Sequence, residues 1–163
     1  GYPVTFASAA ASEKVEKVMR AELEKSGLPQ GVVKIQLGGS QDLMQRVGSG
    51  TVASGTATLE AAYYGMPYCL VYGVAWATYL LARQVIKVPH IGLINILAGR
   101  ELAPEFIQND ANVYEVSHWF EGILSDDEAR RAHGESLRLA ASRLGEPGVH
   151  LRAAGAIVDL LSS

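Results

Sequence analysis

The chain has 163 residues, 48% of them apolar, which is enough for one compact domain with a real core and too few for two. Seventeen acidic residues against fourteen basic ones give a formal net charge of −3, which argues against nucleic-acid binding driven by bulk electrostatics. The lone Cys69 excludes an intrachain disulfide and is predicted to be a buried core thiol in a reducing compartment.

Strand and helix patterns alternate along the chain. The predicted strands cover residues 4–7, 32–37, 51–53, 68–72 and 90–94. The predicted helices cover residues 12–25, 41–47, 56–64, 76–86, 104–108, 125–144 and 149–161. Ser125 and Glu128 have the spacing of a capping box at the start of one of these helices. The order predicts the α/β class, with a doubly wound parallel sheet and a helical C-terminal tail.

Residues 61–82 carry no charge, and a helix of that length would cross a bilayer. Gly65, Pro67 and Gly73 interrupt the run, and the pieces between them fit a helix end, a strand and the next helix. We therefore expect a buried core here. The N-terminus shows no basic region followed by an apolar core, so we expect a cytoplasmic protein without a secretory signal.

The turn Ser54-Gly55-Thr56-Ala57 follows a predicted strand and precedes a predicted helix. In open α/β sheets, ligands bind beyond the carboxyl ends of the strands, where helix N-termini point. Free backbone amides, the helix dipole and two hydroxyl groups therefore predict a phosphate site at this turn. The alternative is that Ser54 or Thr56 only caps the helix.

Two better-known phosphate motifs fail on their spacing. The run from Gly48 to Ala53 fits Gly-x-Gly-x-x-Ala, but it precedes its strand, and no acidic residue between Glu60 and Glu101 could hold a ribose at the expected distance. A Walker loop needs Gly-Lys-Ser/Thr, and no lysine lies near the turn. Dinucleotide-binding and ATPase functions are therefore not supported.

Glu60 lies four residues beyond Thr56, on the same helical face and one turn further along. A carboxylate at this place would repel phosphate, but it suits the vicinal hydroxyl groups of a ribose beside the turn. The alternative is a first-turn acid that only complements the helix dipole.

A second polar cluster follows the last predicted strand, at the end of the sheet where a ligand is expected. It consists of Asn95, Arg100 and Glu101 among apolar residues, and Arg100 could neutralise a diphosphate. The alternative is a surface ion pair of Arg100 with Glu101 or Glu105.

The segments "SGTATLEAAYYGMP", "ARQVIKVPHI" and "NILAGRELAPEFIQ", in this order and spacing, resemble lipid-A-disaccharide synthase, an inverting glycosyltransferase of the GT-B fold. The resemblance runs from about Val33 to Gln108 and is weaker in the helical tail. It implies a Rossmann-like half of a GT-B fold that uses no cofactor. The implied substrates are a UDP-2,3-diacylglucosamine donor and a 2,3-diacylglucosamine 1-phosphate acceptor, on the cytoplasmic face of the inner membrane.

The resemblance also implies roles for single residues. Ser54, Gly55 and Thr56 would hold the diphosphate, and Glu60 would hold the ribose. Asn95, Arg100 and Glu101 would complete the donor pocket. The whole predicted donor site consists of Ser54, Gly55, Thr56, Ala57, Glu60, Tyr72, Asn95, Arg100 and Glu101.

The chain departs from the family pattern in two respects. Gly73 follows Tyr72, where family members usually carry a basic residue near the nucleotide. The chain also lacks the N-terminal acceptor domain with its acidic general base, and the Gly-Ser-Arg phosphate loop. Residues 1–163 are therefore predicted to be a single, incomplete C-terminal UDP-sugar-binding domain that has no catalytic residue and binds without turnover.

Between residues 61 and 99 the only charges are Arg83 and Lys87, and both lie near Trp76 and Tyr79. Such a face could rest on anionic lipid, which predicts a peripheral membrane contact. The alternative is ordinary helix packing.

Other functions stay open or find little support. Four histidines without close ligand spacing and a single cysteine argue against a metal site. One competing function is a UDP-sugar epimerase of the same fold. Another is a non-catalytic nucleotide-binding or oligomerisation module, and homo-oligomerisation also stays open.

Overall fold

A computed structural model of the chain describes residues 4–53, 55–73, 90–146 and 148–161. Ser54, the predicted helix 76–86 and the predicted membrane face of Trp76, Tyr79, Arg83 and Lys87 lie outside the described residues.

Five strands and seven α-helices make up the described part of the chain. The strands are β1 (Phe6–Ala10), β2 (Val33–Leu37), β3 (Gly50–Val52), β4 (Tyr68–Tyr72) and β5 (Glu105–Ile107). The helices are α1 (Glu13–Lys25), α2 (Ser40–Arg46), α3 (Ala57–Tyr64), α4 (Leu93–Ala98), α5 (Val113–Ser125), α6 (Asp127–Ala141) and α7 (Val149–Leu161). None of these helices has the length and apolarity that a membrane crossing requires.

All strand pairs in the described residues are parallel, and they form two ladders. One ladder joins β1 to β2, and the other has the order β3-β4-β5. Val52 lies opposite Leu70, and Leu70 lies opposite Glu105, so the central strand β4 is covered on both edges. Continuous apolar strands of this kind are typical of parallel sheets with helices packed on them. The predicted α/β class and parallel strands are confirmed.

The main core lies between the β3-β4-β5 ladder and the helices α3, α4 and α6. Its largest apolar side chains, Tyr68, Leu70, Ile94 and Leu137, are fully buried. Cys69 is fully buried as well, and burial raises the pKa of its thiol to about 12, which confirms the predicted core thiol. By contrast, α7 occupies the predicted range of the helical tail and buries none of its residues.

Two predictions for the segment between β4 and α5 are wrong. Residues 90–94 are not a strand, because the amides of Ile91 and Gly92 are bound by a side chain and α4 begins at Leu93. The predicted helix 104–108 is absent, because Leu70 donates its backbone N–H to the Pro104 carbonyl at 2.8 Å and the chain continues as β5, while Gln108 begins a short 3-10 turn. The segments that form α4 and β5 are too short for hydrophobic periodicity to distinguish helix from strand, so tertiary contacts determine their secondary structure.

The predicted helix 125–144 also differs from the structure. Ser125 ends α5, and its hydroxyl donates to the Gly122 carbonyl, whereas Asp126 caps α6 by accepting from the Ala129 N–H at 2.9 Å. The preceding helix α5 was not predicted. Its N-cap Asn112 accepts from the Glu115 N–H at 3.0 Å, and this Asn-x-x-Glu spacing was the signal for it.

Candidate functional site

The carboxyl ends of β3, β4 and β5 meet at one edge of the ladder because the three strands are parallel. Val52, Tyr72 and Ile107 end these strands. The segments that follow β3 and β5 carry Gly55 and Gln108. This edge, which we call the carboxyl edge, is where ligands bind in open parallel sheets.

The turn before α3 has a backbone conformation that favours glycine. Gly55 has φ of 119°, which L side chains rarely adopt, and nothing lies within 4 Å of the position that a Cβ would take. Its carbonyl accepts the Thr58 hydroxyl at 2.7 Å, which ties the turn to the helix. Thr56 is the N-cap residue, yet its side chain makes no capping hydrogen bond. The capping alternative for Thr56 therefore fails. The amides of Thr58 and Leu59 donate to the Gly55 and Thr56 carbonyls at 3.2 and 3.0 Å, so any amide that a ligand could use lies before Thr58.

Helix α3 is anchored to the sheet directly behind this turn. The Tyr68 hydroxyl on β4 donates to the Thr58 carbonyl at 3.0 Å, and both side chains are fully buried. Burial raises the pKa of Tyr68, so the hydroxyl stays a donor at neutral pH. This bond fixes the first turn of α3 on the strand that ends at the carboxyl edge.

Glu60 is placed as predicted, in the first turn of α3. Its backbone N–H donates to the Thr56 carbonyl at 3.1 Å, which sets the one-turn spacing between the two residues. The side chain is half-buried. The Glu60 carboxylate accepts no hydrogen bond and forms no ion pair within the described part of the chain.

Tyr72 and Gln108 lie side by side at the same edge. Tyr72 ends β4 opposite Ile107, and it is half-buried. Gln108 has φ of 54° and is the one non-glycine residue with positive φ in the described ranges. Its Oε1 lies 4.0 Å from the position that a Cβ would take at Gly73. Sequence reasoning did not single out Gln108, because the left-handed backbone that marks it has no signal in the pattern of residue types.

Asn95 lies in the core and uses its whole amide group for internal hydrogen bonds. The side chain is fully buried. Its Nδ2 donates to the Ala103 carbonyl at 2.7 Å, and its Oδ1 accepts from the Leu102 and Ala103 amides at 2.7 and 2.9 Å. Asn95 therefore closes the turn between α4 and β5 and presents no polar atom at the surface.

Glu105 is the second centre of the same network. Its side chain is only 7% exposed. Oε2 accepts from the Ile91 amide at 3.0 Å, and Oε1 accepts from the Gly92 amide at 2.9 Å and from Asn95 Nδ2 at 2.8 Å. His90 Nδ1 lies 3.9 Å from Oε1. Hydrogen bonds from backbone amides compensate for the burial of this carboxylate. The same bonds fix the backbone just before the start of α4, a role that the sequence did not indicate.

Arg100 and Glu101 are exposed residues of the turn that precedes β5. Since β5 runs parallel to β4, this turn approaches the ladder from its amino side. Arg100 forms no ion pair with Glu101 or Glu105, and Glu101 Oε1 accepts from the Glu105 amide at 3.3 Å. The contacts of the described residues do not bring Arg100 and Glu101 to the Gly55-Thr56 turn. They follow α4, and not the last strand as the sequence had suggested.

Comparison with known proteins decides the family. A family profile described as lipid-A-disaccharide synthetase matches residues 10–146. The chain belongs to the lipid-A-disaccharide synthetase family. Its relatives include lipid-A-disaccharide synthases of Syntrophus aciditrophicus (strain SB), 38% identical over 98% of this chain and 41% of the relative, and of Anaeromyxobacter sp. (strain K), 35% identical over 87% of this chain and 38% of the relative.

The chain spans about two fifths of the length of these lipid-A-disaccharide synthases. The family resemblance drawn from residues 33–108 is thereby confirmed, and the profile extends it through α5 and α6. No group of three or more metal-ligating side chains occurs in the ranges that the structure describes.

Proposed function

We propose that this chain is the UDP-sugar-binding part of a glycosyltransferase that transfers 2,3-diacylglucosamine from UDP to 2,3-diacylglucosamine 1-phosphate. The observation that carries the proposal is the position of the Glu60 carboxylate, which has no partner among the described residues and lies one helical turn beyond the Gly55-Thr56 turn at the carboxyl edge. Membership of the lipid-A-disaccharide synthetase family supports it. Because the chain covers only 38–41% of its relatives, the activity of the whole protein is part of the proposal.

The donor would lie along the carboxyl edge. Ser54, Gly55, Thr56 and Ala57 would bind the diphosphate through backbone amides at the start of α3. Glu60 would accept hydrogen bonds from the ribose hydroxyl groups.

Tyr72 and Gln108 would flank the nucleotide at the ends of the two neighbouring strands. Gln108 is an addition to the predicted site that follows from its left-handed backbone and its position beside Gly73.

Asn95 enters the proposal as a positioning residue, because its amide is consumed in the core. Direct donor contacts of Arg100 and Glu101 stay a prediction, and the placement of their turn before β5 argues against them.

The proposed transfer also needs an acceptor and a general base. An N-terminal acceptor domain would bind the acylated acceptor and supply the acidic general base, and the Gly-Ser-Arg phosphate loop would open the second domain. Without the acceptor domain, the chain would bind UDP and its donor without turnover. A cytoplasmic location with peripheral contact through Trp76, Tyr79, Arg83 and Lys87 is proposed with it, as is a homo-oligomer.

Calorimetric titration of the chain with UDP tests the proposal. We expect saturable binding of UDP and at least tenfold weaker binding of uridine, which lacks the diphosphate. An absent response to UDP would favour a structural or oligomerisation module. Equal affinity for a water-soluble UDP-sugar and for the diacylated donor would favour the epimerase.

Substitution of Arg100 tests the boundary of the site. If the donor lies at the carboxyl edge, Arg100→Ala changes UDP affinity by less than about 0.5 kcal/mol, as a distant exposed charge does. The exposed Arg46→Ala is the matched control. A selective loss in Arg100→Ala of about 1.5 kcal/mol or more, for UDP and not for uridine, would restore Arg100 as a diphosphate ligand.

A further inference from the structure

A cavity of about 400 Å³ lies at the opposite edge of the ladder from the Gly55-Thr56 turn. Gly48, Met66 and Pro67 line it, and they precede β3 and β4. The cavity is therefore at the amino ends of these strands, between α2, the end of α3 and one face of α6. The length of a strand separates it from the proposed donor site.

Basic side chains dominate the wall that α6 contributes. Arg130, Arg131 and Arg138 line the cavity together with a single carboxylate, Glu135. Arg130 is paired with Asp127 at 2.6 Å, but the Asp127 side chain is 67% exposed, and such surface pairs are weak.

Arg131 is an exposed residue in the lining of the cavity. It forms no ion pair with any residue in the described ranges, although Glu135 lies one helical turn away. Three guanidinium groups therefore line the cavity with one carboxylate, which leaves an excess of positive charge among the described lining residues.

Two glycines at the crossing of α3 and α6 form the floor. A Cβ on Gly134 would lie 2.5 Å from the Gly65 carbonyl oxygen, so α6 approaches α3 as closely as backbone allows. Gly65 has φ of 65°, and a Cβ there would overlap the Arg138 guanidinium. Arg138 instead extends across Gly65 and donates to the Tyr64 carbonyl at 2.9 Å. Because neither glycine has a side chain, the cavity stays concave and the Arg138 guanidinium lies against Gly65 within it.

We propose that this cavity binds a phosphate group. Guanidinium groups present paired N–H donors that match phosphate oxygens, and a concave site with excess positive charge concentrates anions. The proposal concerns a different edge of the ladder from the donor site and does not depend on it.

Titration with inorganic phosphate, followed by backbone amide NMR, tests this site directly. We expect saturable shifts of the Gly48, Gly65 and Gly134 amides. Gly55 reports separately on the donor turn, and the exposed Gly27 reports on non-specific salt effects. Shifts at the cavity that stay linear with phosphate concentration, or that match those at Gly27, would overturn the proposal.

Three charge substitutions locate the binding. Arg131→Gln should weaken phosphate at least fivefold. Glu135→Gln should tighten it at least twofold, a gain that a folding defect cannot produce. Arg143→Gln is the control, because it removes the same charge from a residue that lies outside the cavity and donates to the Leu97 carbonyl. Equal effects of Arg131→Gln and Arg143→Gln, or no gain in Glu135→Gln, would contradict the proposal.

Co-sedimentation with vesicles identifies the source of the phosphate. If the phosphate belongs to a lipid headgroup, the wild-type chain co-sediments with phosphatidylglycerol vesicles and the Arg131→Gln variant does not. Neither protein co-sediments with phosphatidylcholine vesicles. Saturable binding of inorganic phosphate without sedimentation on either vesicle assigns the site to a soluble phosphate ester.

Discussion

Two carboxylates near the β3-β4-β5 ladder have opposite surroundings. Glu105 is nearly buried and accepts from two backbone amides and the Asn95 side chain, whereas Glu60 is half-buried and has no partner within the described residues. A buried carboxylate must be compensated by donors, and Glu105 is compensated by its own chain. Glu60 has no such compensation and remains open to a ligand. The same residue type thus stabilises the fold at one place, and at the other it has no partner among the described residues.

Removal of Glu105 should have the largest effect on stability. Glu105→Ala leaves the Ile91 and Gly92 amides without their acceptor, and we expect the free energy of unfolding to fall by about 3 kcal/mol. Chemical denaturation of the variant measures this loss. Glu101→Ala, which removes an exposed glutamate from the turn before β5, is the control and should cost less than about 1 kcal/mol. Similar losses in both variants would mean that Glu105 is not the centre of the network.

Substitution of Asn95 should reduce stability less than substitution of Glu105 does. Asn95→Ala leaves the Leu102 and Ala103 amides without their acceptor, and the Ala103 amide is buried, so we expect the free energy of unfolding to fall by about 2 kcal/mol. The exposed Asn109→Ala serves as the control for the loss of an asparagine side chain. If Asn95→Ala unfolds like the wild type, the turn before β5 is held by other contacts.

His133 extends the comparison to a group that is buried without full compensation. Its Nε2 is buried without a partner in the described residues, and burial lowers the pKa of His133, although the Leu102 backbone acts in the other direction. The unfolded chain therefore binds this proton at a higher pH than the folded chain does. Stability from this group is complete above pH 6.5 and decreases as the pH falls below it.

His133→Leu should flatten the decrease in stability between pH 7 and pH 5, by about 1 kcal/mol or less. Thermal unfolding at several pH values measures the slope. The exposed His150→Gln should keep the slope of the wild type. A slope that is unchanged in His133→Leu would show that other groups carry the acid sensitivity.

The fold and the site differ in how far sequence predicts them. Helix α3 and strand β4 follow from strong local signals: the Ser-Gly-Thr turn, the Gly65 and Pro67 stop, and a continuous apolar run. Segments α4 and β5 could not be assigned in this way, because each is held by the Glu105 side chain or by pairing with β4 across the chain.

The same limit applies to the candidate site. The position of Glu60 could be predicted because it depends on helical spacing from Thr56, which is local. Asn95 was predicted as a ligand, but its burial depends on Ala103 and Leu102, which only the folded turn brings to it. Gln108 was missed because a left-handed backbone at a non-glycine residue is imposed by its surroundings.

A double-mutant cycle between Glu60 and the ribose tests the central claim most directly. UDP and 2′,3′-dideoxy-UDP are titrated into the wild type and into Glu60→Gln, which keeps the shape of the side chain but weakens the acceptor. We predict that Glu60→Gln unfolds like the wild type and weakens UDP by about 1–2 kcal/mol, while the dideoxy analogue, already weak, hardly changes. Equal losses for both ligands would show that Glu60 is a helix-start acid and that the ribose does not bind there.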